Sequence, residues 1–100
     1  MFTRIVTIKC PNERAKRAFK LLNKEVTEEQ MKVGLIKQTT VDTSDTSIVY
    51  VKYWMSKKHF DRGRKDWQKT SKEFNDMGAI MSAVGGEADI VMSDDFKNYS

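Results

Sequence analysis

The sequence is poor in the residues that staple, bend or ligate. Its 100 residues include one cysteine, one proline and one histidine. A lone Cys10 forms no internal disulfide and builds no thiolate metal centre. With a single histidine beside it, and carboxylates without ligand spacing, no metal site is expected. No uncharged apolar run approaches the roughly 20 residues that a membrane span requires, so no membrane contact is expected. Met1-Phe2-Thr3-Arg4 leads straight into an alternating pattern, not into an apolar leader, and the chain is read as cytoplasmic. No Gly-rich phosphate loop follows a strand, and no GxSxG is present. Two common enzyme designs are thereby removed, and no cofactor is expected. Repeats, low-complexity tracts and Gly/Pro/Ser-rich linkers are also missing, so residues 1–100 read as one domain.

What remains is an ordinary globular balance, 39% apolar and 32% charged. A net charge of +4 permits an acidic partner without requiring one. Residues 2–10 are β-branched and alternate as a strand does. Cys10 falls on their apolar phase and is expected to be a buried, inert thiol. Pro11-Asn12 ends that strand and offers Asn12 as an N-cap. From Glu13, apolar Ala15, Ala18, Phe19, Leu22 and Val26 recur at helical spacing, with Lys16, Arg17, Lys20 and Lys24 opposite. Thr27-Glu28-Glu29-Gln30 has capping-box chemistry, which predicts a break there, and Gly34 stops the helix.

Residues 35–42 and 47–55 are two further β-rich runs, joined by a polar stretch with the chemistry of a hairpin turn. Ser56 caps a second helix over 57–77, whose inward line is Phe60, Gly63, Trp67, Ser71 and Phe74. Gly78 suits its C-terminal end. Residues 79–84 fit either a helical turn or an extended lead-in. Gly85-Gly86 reads as a break, 88–93 as the last strand, and 94–100 as a frayed tail.

The order strand, helix, strand, strand, helix, strand predicts an α+β, ferredoxin-like βαββαβ fold. Right-handed crossovers put the first and third strands at the centre of a four-stranded antiparallel sheet, with both helices on one face. Val6, Ile8, Cys10, Val49, Val51 and Tyr53 are expected toward the helices. Ile5, Thr7, Lys9, Ile48, Tyr50, Lys52 and Trp54 are expected on the open face, which is then too apolar to stay wet. A homodimer through Ile5, Ile48, Tyr50 and Trp54 follows from that assignment.

Few residues offer chemistry. His59, in the first turn of the second helix, is the only side chain that titrates near neutrality without perturbation. It is the best available base, although a histidine without a task fits the position as well. Tyr53, Trp54, His59 and Trp67 are expected to border a pocket for a small, partly aromatic molecule; core packing accounts equally well for Trp67 and Phe74. Lys58, Arg62, Lys65, Lys69 and Lys72 form one stripe opposite the apolar line of the second helix. Interleaved Asp61–Lys65, Lys69–Glu73 and Lys72–Asp76 spacings make it a solvated face and argue against tight nucleic-acid binding.

Trp54-Met55-Ser56-Lys57-Lys58-His59-Phe60 resembles the dimeric α/β-barrel superfamily, particularly its antibiotic-biosynthesis-monooxygenase-like group. Trp54, Ser56 and Phe60 carry the match to a Trp-x-Ser strand exit followed by an aromatic inside the helix. The resemblance implies a homodimer whose sheets pack into a barrel, each subunit keeping a pocket between sheet and helices. Some members oxidise aromatic polyketides without a cofactor, others degrade haem, and many have no known activity. The haem-degrading branch uses an asparagine on the first strand and a histidine late in the second helix, and this sequence has neither. An RNA-recognition-like module shares the same element order, and Tyr50-Val51-Lys52-Tyr53 echoes part of its third-strand signature. Its basic-Gly-aromatic-Gly lead is missing. A structural or regulatory dimer without catalysis is the third reading.

Overall fold

The computed structural model describes residues 1–89. The elements are β1 (Phe2–Lys9), α1 (Glu13–Met31), β2 (Leu35–Asp42), β3 (Ser47–Trp54), α2 (Lys57–Asp76) and β4 (Ile80–Glu87). The strands form one antiparallel sheet in the order β2-β3-β1-β4, and the buried side chains lie between it and the two helices. The ferredoxin-like arrangement expected from the element order is the one observed.

Local signals place the helix ends. Asn12 Oδ1 accepts from the Ala15 N–H at 2.8 Å, and Ser56 Oγ accepts from the His59 N–H at 3.3 Å. Both satisfy donors that a helix start leaves unpaired. Gly34 (φ +118°) and Gly78 (φ +97°) take the left-handed turns that let the chain leave α1 and α2.

Three expectations need correction. The first is the last strand. It is Ile80–Glu87, and it runs through Gly85 and Gly86, which pair with Arg4 and Thr3 of β1. A Cβ at Gly85 would lie 3.0 Å from Phe2 Cζ and 3.1 Å from Arg4 Cδ, so glycine there admits two β1 side chains. Ala88 and Asp89 follow the strand, and both the rest of the expected 88–93 run and the 94–100 tail lie outside the described residues.

The second is the facing of β3. Directly opposed residues of an antiparallel ladder share a face. Val6 opposes Tyr50 and Ile8 opposes Ile48, so Ile48, Tyr50, Lys52 and Trp54 point toward the helices. Ile48 and Trp54 are fully buried and Tyr50 is nearly so. Of the residues proposed for a dimer interface, only Ile5 lies on the open face. Its companions there are Val49, Val51 and Tyr53, with Val41 on β2 and Ile80 and Val84 on β4.

The third is α1. It is one continuous helix with no break at Thr27. Thr27 Oγ1 donates to Gln38 Oε1 at 3.0 Å and accepts from Asn23 Nδ2 at 3.3 Å, so its hydroxyl serves the interior and caps nothing. The inward line of α1 is Lys16, Phe19, Asn23, Thr27 and Gln30, one position round from the apolar line read in the sequence. Leu22 is left 42% exposed.

Phe19 anchors the core, with ring centroids 6.0 Å from Tyr50, 5.9 Å from Trp67 and 4.4 Å from Phe74. At the other end, Trp54 lies under α2 at Gly63, where a Cβ would come within 2.7 Å of Trp54 Cζ3. The glycine is what lets that indole fit. Cys10 is buried as expected, and burial raises its thiol pKa.

Candidate functional site

Between α2 and the sheet lies a cavity of about 190 Å³, lined by Arg4 and Val6 of β1, Gln30 of α1, Lys52 and Trp54 of β3, and Phe60, Arg64, Trp67, Gln68 and Ser71 of α2. Its position follows from the polar interior of α1. A row of large apolar side chains at that end of the helix would have filled the space, but the helix brings Gln30 to it. Trp54 and Phe60 meet edge to face at a centroid distance of 5.8 Å, and Trp67 closes another side.

Lys52 is the unusual member. It is only 4% exposed, yet among the described residues no carboxylate lines the cavity with it. Its ammonium donates to Gln30 Oε1 at 2.6 Å and sits 5.1 Å from the centre of the Trp67 ring. Taking an ammonium out of water disfavours its charged form, and burial lowers the Lys52 pKa to about 8. At neutral pH it remains mostly a cation. Arg4 and Arg64 approach from the rim, their guanidinium carbons 5.1 and 5.9 Å from the Phe60 ring centre.

The four residues expected to share one pocket are dispersed. Trp54 and Trp67 line the cavity. Tyr53 faces the open side of the sheet, opposite Thr3 and Lys37. His59 lines a separate open groove with Gly34, Leu35, Met55 and Arg62. Its Nδ1 lies 2.6 Å from Ser56 Oγ, and its ring packs over Gly34, where a Cβ would come within 2.6 Å of it. The cap that starts α2 therefore holds the imidazole away from the aromatic cavity.

Sequence reasoning missed Lys52, Gln30, Arg4 and Arg64. Lys52 was findable: it shares strand phase with Ile48, Tyr50 and Trp54, and one lysine among three bulky apolar residues is a buried-cation signal once that phase is turned inward. A second cleft, between α1 and β2–β3, is lined by Asn23, Thr27, Gln38, Thr40 and Tyr50 among others. Asn23 Oδ1 has no partner there among the described residues. Burial foremost, then Asp42 and Cys10, raise the Tyr50 pKa, so its hydroxyl stays protonated.

The basic stripe of α2 is exposed, as expected of a solvated face. Among the described residues the ion pair within α2 is Lys57–Asp61 at 3.6 Å, beside the stripe, and not one of the three spacings read from the sequence. Tyr50 and Trp54, the aromatics an RNA-recognition reading needs on an exposed sheet, lie beneath the helices. No described helix is long and apolar enough to cross a membrane. The described residues contain no cluster of metal-ligating side chains.

No protein-family model matches the sequence, and no curated protein matches it. Solved structures do match its fold. A protein of Deinococcus radiodurans assigned as an antibiotic biosynthesis monooxygenase superposes with a TM-score of 0.78 at 10% identity, over 94% of this chain and 98% of that one. SnoaB, a cofactor-independent oxygenase from Streptomyces nogalater, gives 0.74 at 11% identity, over 93% and 97%. A dimeric ferredoxin-like protein from an uncultured marine organism gives 0.71 at 13% identity, over 91% and 97%. The chain has the ferredoxin-like fold that antibiotic-biosynthesis-monooxygenase-like proteins share.

Proposed function

We propose that this chain binds a small aromatic molecule in the cavity between its sheet and α2, and that it does so as a homodimer. The observation that carries the first half is the cavity itself, walled by Trp54, Phe60 and Trp67. An engineered cavity of about 150 Å³ accommodates benzene, so about 190 Å³ suits one substituted ring. Two indoles in the wall give the test an intrinsic probe. Titration with single-ring and fused-ring aromatics should quench tryptophan fluorescence for the single-ring set, and Trp67→Leu should weaken that response. Failure of every single-ring compound to bind at millimolar concentration would refute the site.

Support for the dimer comes from the open face. Ile5 is 41% exposed, Val41 44%, Val84 65% and Ile80 69%, in register with Val49, Val51 and Tyr53. Both helices are committed to the other side, so a second copy is the natural cover. Light scattering with size exclusion should report a dimer, and Val51→Glu a monomer. A second reading, oxidation of the bound ring without a cofactor, is favoured by the structural likeness to SnoaB. Oxygen uptake dependent on an aromatic ligand and on the protein tests it.

A further inference from the structure

We infer that the molecule this cavity selects is an aromatic carboxylate, its ring against Phe60 and Trp67 and its carboxylate against Lys52 Nζ. The inference rests on the cavity reading above and adds the charge of the ligand. Three observations carry it. Lys52, Arg4 and Arg64 all line the cavity, and among the described residues no carboxylate does. A cation 4% exposed is ordinarily paired with an acid. Here the partner is a neutral amide, Gln30.

The geometry leaves capacity for the missing partner. An ammonium has three donors, and among the described residues Lys52 donates one hydrogen bond, to Gln30 Oε1 at 2.6 Å. With its oxygen so engaged, the Gln30 amide has its NH₂ group to offer as a donor beside the ammonium. A bound carboxylate would meet donors on that side and aromatic wall on the other. Carboxylic acids are ionised at neutral pH without assistance, so the protein has only to recognise the anion. Arg64, exposed at the rim, and half-buried Arg4 extend the positive lining outward, which favours entry of an anion.

Calorimetry of the full chain at neutral pH and low salt, with benzoate against its neutral isostere benzamide, tests this. Benzoate should bind roughly tenfold more tightly than benzamide, the scale of one charge-assisted hydrogen bond. In Lys52→Met the two affinities should converge, with that of benzamide kept within about threefold. Lys52→Gln, which keeps a donor for Gln30, should behave alike and covers the case in which Lys52→Met does not fold. Equal affinities in the unmodified protein would overturn the inference and leave the cavity reading standing. A preference that survives both substitutions would likewise overturn the role of Lys52. If neither probe binds while another single-ring aromatic quenches tryptophan fluorescence, the inference falls and the cavity reading stands; if no single-ring aromatic binds, both fall.

Discussion

The two helices cover the same face of the sheet with opposite chemistry. α2 presents Phe60, Gly63, Trp67 and Phe74, and its described lysines, arginines and carboxylates are exposed. α1 presents one large apolar residue, Phe19, with Ala15 beside it, among Lys16, Asn23, Thr27 and Gln30, and leaves Leu21 and Leu22 exposed. α2 is held by packing, α1 by one ring and a series of matched polar contacts. Gln30 meets Lys52, Thr27 meets Gln38, and Lys16 with Lys20 meets Asp42. Those two lysines, through their hydrogen bonds first, hold the Asp42 carboxyl below the usual carboxylate range. Polar contacts constrain position more than they stabilise, since each net bond contributes only about 0.5–1.5 kcal/mol. Through Gln30 this polar side reaches the edge of the cavity under α2, where it meets Lys52.

Phe19→Ala should break the comparison most severely. The ring is fully buried against three other aromatics, and its loss should cost about 3–5 kcal/mol in urea unfolding. Trp67→Ala should cost less, because Trp67 is only partly buried and already borders a void. Equal losses would mean that α1 and α2 contribute alike.

Lys52→Met sharpens it through pH. The folded-state pKa of about 8 lies below the ordinary 10.5, so between those values the unfolded chain binds more protons. Stability conferred by this site therefore rises with pH from about 8 to 10.5, and below 8 the buried charge costs on the order of 3 kcal/mol. Removing the ammonium also strands Gln30 Oε1, at about 1–3 kcal/mol. The variant should be at least as stable as the parent at pH 7 and less stable near pH 10.5. A difference independent of pH would show that the ammonium is not buried.

Leu22→Gln should do the least. On the exposed side of α1 it should shift stability within about 0.5 kcal/mol, whereas a core leucine would lose several. A loss above about 2 kcal/mol would return Leu22 to the core, where helical spacing alone had put it.

Much of the fold was legible because it is local. Alternation in β1, the apolar line of α2 and the caps at Asn12 and Ser56 depend on residues a few positions apart. The candidate site was legible only in its aromatic half. Trp54 and Trp67 were singled out, but His59 and Tyr53 were grouped with them by nearness in sequence, and the fold separates them. Lys52 and Gln30 went unread because a charged or amide side chain is assigned to solvent unless its partner is known. Their partners are each other, 22 residues apart.

By itself the sequence determined the order of elements, the two helix starts, the facing of β1 and α2, and hence the ferredoxin-like class. Only the tertiary structure decided which side of β3 is inside, which side of α1 is inside, and that β4 runs through Gly85-Gly86. The physical reason is common to all three. β3 is apolar on both faces, so its period of two defines two sides without ranking them, and the ladder with β1 chooses. α1 carries leucines on one side and matched polar groups on another, and burial falls on the side whose partners the sheet supplies. Two glycines signal a break in isolation, yet Gly85, beside Phe2 and Arg4, is what allows the edge strand to close against β1.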